Sequence, residues 1–238
     1  MKALSVRQPW AHAIVRLGKR VVTRDWWSCA YRGPVLLHAA NTLVLRDFDD
    51  DLIKIRGILG RIRGKLGGIN PAPPEELAVW STARNVPRWR PAPGLPFGGI
   101  VGRARIVDVV LCGEIERGSV PRGWSAACAP WYTGGFALVL GDVEPLPFIP
   151  LSGRFGFFDV PEELVLKAIA EERRATALRI AQSLPIHNSW AERIELELEA
   201  GFTEQQILAC IGGTTSGGLP VMWPSDIARS SIGFRGEP

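Results

Sequence analysis

The sequence predicts an α+β chain: a small β-barrel with short flanking helices, followed by a helical C-terminal appendage. Three observations carry that expectation. Short strand patterns, two of them with interior glycines and few helices between them, occupy the chain to about residue 160 and suggest a closed or half-closed barrel. From Pro161 onward the apolar residues recur at helical spacing instead. The chain has 238 residues, 46% hydrophobic and 22% charged, enough for one buried core plus an appendage. The expected division is a barrel domain over 1–161, with an insertion at about 42–96, and a helical extension over 162–238.

Taken in order, Ala3 to Val6 reads as an opening strand. Gln8-Pro9-Trp10 is a helix entry, because proline at the first helical position loses no hydrogen bond. Trp10, Ala13, Ile14 and Leu17 then share one helical face, leaving His12 and Arg16 outward. Gly18 suits the left-handed position that ends a helix. Arg20 to Arg24 is β-branched and strand-like, Tyr31-Arg32-Gly33-Pro34 is turn chemistry, and Val35 to His38 is a nearly continuous apolar strand, expected at the centre of a sheet.

The insertion begins with a charged helical pattern that places Leu52, Ile55, Ile58 and Leu59 on one side. Five glycines between Gly57 and Gly68 weaken it, and a proline-rich stretch with Trp80 and Trp89 follows, read as crossing the outside of the sheet. Strand patterns return at Gly99–Val110, at Gly135–Leu140 with Asp142–Leu146 continuing it or turning from it, and at Gly153–Val160. Beyond Pro161, Glu162–Gln182 is a helix, and Ser189 and Thr203 open two more with capping-box patterns. Gly201 separates that pair, as in the first two helices of a helix-turn-helix, but a glycine-rich loop stands where a DNA-reading helix would be.

Charge is unevenly placed. Residues 1–35 carry Lys2, Arg7, Arg16, Lys19, Arg20, Arg24 and Arg32 against Asp25 alone, and residues 84–105 hold five arginines and no acid. From Glu162 to Glu199 eight glutamates face five basic residues. A basic front half fits an anionic ligand or nucleic acid bound by the first domain. The four cysteines are scattered without a Cys-x-x-Cys pair and the three histidines lie apart from them, so buried free thiols are expected and the spacing calls for neither metal nor cofactor. No apolar run approaches the ~20 residues of a membrane span, and the N-terminus lacks a signal-peptide core. A soluble, cytoplasmic protein with no membrane association is the expectation.

Several blocks together resemble a known family. Leu4-Ser5-Val6-Arg7-Gln8-Pro9-Trp10-Ala11, Gly18-Lys19-Arg20, Thr23-Arg24-Asp25-Trp26 and Tyr31 to Ala39 are similar to the ASCH domain (activating signal cointegrator homology), a branch of the PUA-like superfamily. Gly99 to Gly102, Gly135 to Leu138 and Gly153 to Phe157 support the match, which covers about residues 2–160 apart from the insertion. The resemblance implies a PUA-like barrel with a short helix beside a cleft that binds RNA or a nucleotide. It also implies that some members hydrolyse 4-acetylcytidine or act as ribonucleases. The amidohydrolase branch uses a lysine, a threonine three residues later and a glutamate from beyond the central strands. Lys19 matches the lysine and Arg24 an arginine two past the threonine, but Val22 stands at the threonine position, where most ASCH sequences carry glutamate.

The candidate ligand-binding residues are therefore Gln8, Trp10, Lys19, Arg20, Arg24, Trp26 and Arg32. The tryptophans offer stacking faces to a base, and the cations hold phosphate. Core packing is the competing role for either ring, and helix capping for Gln8. His38, inside an apolar strand, reads as a core histidine. If the chain is an enzyme, Lys19 is the candidate base, with Glu114 or Glu116 as its carboxylate partner. Val22 removes the nucleophile and tips the reading toward RNA or nucleotide binding. Hydrolysis of a modified nucleoside or RNA is the second reading. The third is an adaptor that docks a protein partner through residues 162–238.

Overall fold

The computed structural model describes residues 1–24, 31–42, 45–65, 95–111, 113–115, 117–125, 127–183, 190–212, 223–225 and 227. The chain divides into two compact units, Met1–Glu162 and Glu163–Pro238.

The first unit is α+β. Its elements are β1 (Lys2–Val6), α1 (Trp10–Arg16), β2 (Val21–Arg24), β3 (Gly33–Ala39), α2 (Leu45–Lys65), β4 (Gly99–Val110), a 3₁₀ turn (Ala129–Trp131), β5 (Phe136–Pro150) and β6 (Phe157–Asp159). The strands form one sheet in the order β2-β5-β4-β3-β1-β6. Among the described residues only β1 and β3 pair in parallel, as their separation by a helix-containing crossover allows. Among the described residues the outer strands β2 and β6 do not pair, so the sheet is mixed and unclosed. The strand expected over Gly153–Val160 contracts to Phe157–Asp159, while the one expected from Gly135 lengthens to fifteen residues.

Both faces of the sheet's β2–β5 side are covered. Val22, Leu138 and Leu140 pack with Ala11 and Ile14 of α1 and with Leu4, Val6, Val35 and Leu37. Their strand neighbours Val21, Ala137 and Val139 point the other way, into a cluster with Ala13, Phe48, Leu52, Ile55, Ile58, Val110, Cys128 and Trp131. The alternation is the period-two geometry of a strand.

The second cluster explains α2. Gly57 and Gly60 each cost about 1 kcal/mol in a helix, yet the helix runs unbroken for 21 residues. Phe48, Leu52, Ile55 and Ile58 are all buried, and each such side chain contributes about 1.5–3 kcal/mol. Burial wins over propensity. The inserted segment is thus, over α2, part of the core. Residues 66–94, including Trp80 and Trp89, lie outside the described residues.

His38 is a core residue. Its Nε2–H donates to the Leu151 carbonyl at 2.8 Å and its Nδ1 accepts from the Ser5 hydroxyl at 3.2 Å, a tautomer assigned by these partners. Gly153 lies against the ring, and a Cβ there would overlap it. Gly153→Ala is expected to destabilise the first unit by about 1–3 kcal/mol. Urea unfolding of the two proteins checks this, and equal midpoints would contradict the packing.

The second unit contains α3 (Glu162–Ser183), α4 (Ala191–Glu199) and α5 (Glu204–Gly212). Ala177, Ile180, Ala181, Ile194, Ile207 and Ile211 form its core. The capping box at Thr203 is present: its hydroxyl accepts from Gln206 N at 3.3 Å, and Gln206 Oε1 accepts from Thr203 N at 2.8 Å. Ser189 and the glycine-rich loop at 213–222 lie outside the described residues. No described helix is long and apolar enough to cross a membrane.

Candidate ligand site

The site grows from the end of α1. Gly18 has φ +75°, a left-handed value that glycine adopts without a Cβ penalty. This lets Lys19 N–H close back onto the Ala13 carbonyl at 3.1 Å, one residue further back than the usual closing bond of such a helix end. The turn sends the Lys19 side chain inward. Only 4% of the residue is exposed. Its Nζ lies 4.8 Å from the Trp10 ring centroid and 5.4 Å from that of Trp131, and it donates to the Trp131 carbonyl at 3.4 Å.

Burial lowers the Lys19 amine from its ordinary 10.5 to about 7, and the Arg24 charge pushes the same way. Asp51 and Cys128 oppose the shift. The two indole faces favour the charged form, but desolvation outweighs them. A lysine that loses its proton near neutral pH is what acid–base or hydrogen-bonding chemistry requires of an amine.

The other expected residues take different places. Gln8 is buried and used internally: its Oε1 accepts from His12 N at 3.1 Å and its Nε2 donates to the Pro96 carbonyl at 2.7 Å. It therefore caps α1 and ties down the chain that re-enters before β4, the structural one of its two expected roles. Arg20 donates to the Ile14 carbonyl at 3.2 Å. Arg24 donates to the Ser5 carbonyl at 2.9 Å and acts on Lys19 through its charge. Arg32 pairs with Asp108 at 2.8 Å. Burial pushes that carboxyl up, but the Val109 N–H, Arg32 and the Arg122 N–H together hold it below the usual range.

Glu114 accepts the Leu111 N–H at 2.7 Å, so this carboxylate closes its own turn; Trp26 and Glu116 lie outside the described residues. Val22 is buried in the cluster on the α1 side. By alternation Thr23 shares the opposite face with Val21, whose cluster contains Trp131.

Two residues of the site were missed by motif reasoning. Trp131 supplies the second ring. Asp51, on α2, is 1% exposed, and its charge reaches Lys19. A signal for it exists in the pattern: Asp51 stands three residues after Phe48 and four before Ile55, a charged residue at a core position. Arg7 lies 2.8 Å from Asp51 Oδ2 and 3.3 Å from Asp47 Oδ2, and Lys54 Nζ lies 3.4 Å from Asp51 Oδ1.

No protein-family model and no curated protein matches this chain.

Proposed function

We propose that the first unit is an ASCH-type domain of PUA-like kind that binds RNA, or a nucleotide, at the Lys19 site. One observation carries the reading: a lysine amine held between two indole rings with its pKa lowered to about 7. The mixed six-stranded sheet with α1 packed on it is compatible with a half-closed barrel of that kind. Lys19 is too buried and too nearly neutral to act as a surface phosphate clamp. Its role in this reading is to hydrogen-bond a base or sugar, with the half-exposed Trp10 as the stacking face.

Lys19→Ala is the direct test. Losing a hydrogen bond of this type costs about 1.5–3 kcal/mol, so affinity for a short single-stranded RNA, read by fluorescence anisotropy, is expected to fall roughly 10- to 100-fold. Because Lys19 does not neutralise phosphate in this reading, the salt dependence of binding should change little. Unchanged affinity would refute the site.

The amidohydrolase reading is favoured by the same amine. At pH 7 a substantial fraction of it is free to take a proton, and by alternation Thr23 shares the strand face of Val21, whose cluster contains Trp131. Acetate release from 4-acetylcytidine that disappears in Lys19→Ala would establish this reading over binding alone.

A further inference from the structure

We propose that Asp51, carried by α2, is a positioning residue of the Lys19 site: its carboxylate sets the charge and place of the Lys19 amine and leaves one oxygen to accept a ligand N–H or O–H.

The inference begins with the cost of burying a carboxylate. A charge removed from water is tolerated only when it is paired. Asp51 is almost completely buried, and α2 could have placed an apolar residue there, between Phe48 and Leu52 on one turn and Ile55 on the next. The carboxylate is instead surrounded by cations. Arg7, from the segment between β1 and α1, spans Asp47 and Asp51 one helical turn apart, and Lys54 reaches Oδ1 from α2 itself. Among the described residues, Arg24 on β2 and Cys128 before the 3₁₀ turn also act on Lys19. The 3₁₀ turn carrying Trp131 packs directly against α2.

The pairing is incomplete. Arg7 Nη2 sits 2.8 Å from Asp51 Oδ2, yet its orientation makes an ion pair without a hydrogen bond, and Oδ2 has no hydrogen-bond partner among the described residues. A buried carboxylate oxygen without a hydrogen bond is expensive. A donor on the ligand, such as an exocyclic amino group of a base or a ribose hydroxyl, would relieve that cost. Lys19 would donate beside it, and the two side chains would present an acceptor and a donor to one neutral polar edge. The helix inserted between β3 and β4 is then a wall of the site.

This rests on the reading of Lys19 as the ligand-facing amine, and the experiment separates the two claims. The Lys19 amine is titrated by NMR in the full chain carrying lysine labelled with ¹³C at Cε, without ligand. Asp51→Asn should move the Lys19 midpoint to lower pH, because it removes a charge that stabilises the ammonium. Arg7→Met, at a half-exposed residue and with Lys54 still paired to Asp51, should move it to higher pH by freeing that charge to act on Lys19. Midpoints unchanged in both variants, or in Arg7→Met alone if Asp51→Asn does not fold, overturn the proposal. A purely structural Asp51 would give that result. Anisotropy with the same short RNA then reads the ligand: Asp51→Asn should weaken binding at least several-fold at a pH where Lys19 is charged in both proteins. Shifted midpoints in a protein that binds no RNA would sink the binding reading and leave the Asp51–Lys19 coupling standing. Shifted midpoints with undiminished binding would sink the acceptor role of Asp51.

Discussion

Replacing Lys19 by methionine is expected to stabilise the first unit, most strongly at acidic and neutral pH. The amine titrates near 7 when folded and near 10.5 when unfolded. Below pH 7 it is charged in both states, and folding bears the whole cost of taking that charge out of water. Between about 7 and 10.5 the unfolded chain keeps the proton that the folded chain has released. Stability therefore rises with pH there, at up to about 1.4 kcal/mol per unit. Above 10.5 the amine is neutral in both states and the penalty is gone. The gap corresponds to about 5 kcal/mol at pH 6, a large share of the 5–15 kcal/mol typical of a domain. A methionine of similar length bears none of it. Hydrogen exchange of the β4 and β5 amides between pH 6 and 9 reports the first unit alone, after correction for intrinsic exchange. The stability difference between the two proteins should shrink as pH rises. Parallel curves would mean that the folded amine keeps its ordinary pKa. A residue that destabilises its own fold in this way is the usual mark of a functional position.

The second large effect lies in the other unit. Glu197 is 2% exposed and is the hub of a small polar network. Its Oε1 accepts from the Ser225 hydroxyl at 2.6 Å and forms an ion pair with Arg193 at 2.9 Å, while Oε2 accepts from Ser225 N at 3.0 Å. Arg193 stacks 5.4 Å from the Trp223 centroid, and Trp223 lies 5.4 Å from Trp190. This carboxylate thus ties the segment around Trp223–Ser225 to α4. Glu197→Ala would remove the carboxylate paired with Arg193 and leave the Ser225 N–H without its acceptor. Removing one partner of a buried pair costs about 3–5 kcal/mol. Because Arg193 is partly exposed and can recover water, about 3 kcal/mol is expected here. Thermal unfolding followed by tryptophan fluorescence should show it, together with loss of the Trp190–Trp223 contact. An unchanged transition would show that the network is not needed to hold that segment.

Much of the architecture was legible in the chain. The strand patterns before residue 160, the helical run after Pro161 and the glycine that ends α1 each follow from local chemistry acting over a few residues. The strength of α2 was not, because Gly57 and Gly60 speak against a helix until Phe48, Leu52, Ile55 and Ile58 are seen to be buried. Strand lengths near β5 and β6 were misjudged for the same reason: pairing partners decide where a strand stops. The expected cation cleft also divided. Lys19 and Arg24 share one electrostatic neighbourhood, whereas Gln8 is consumed by capping, Arg20 by a helix carbonyl and Arg32 by Asp108.

The sequence by itself determined the two-part α+β organisation and singled out Lys19, since helix ends, turns and apolar periodicity are local properties. Only the tertiary structure decided the state of that lysine. An amine's pKa depends on how much water and which charges surround it. Burial sets it first and the Arg24 charge second, and the burial comes in part from Trp131, brought to Lys19 from far along the chain by the packing of the 3₁₀ turn against α2 and the sheet.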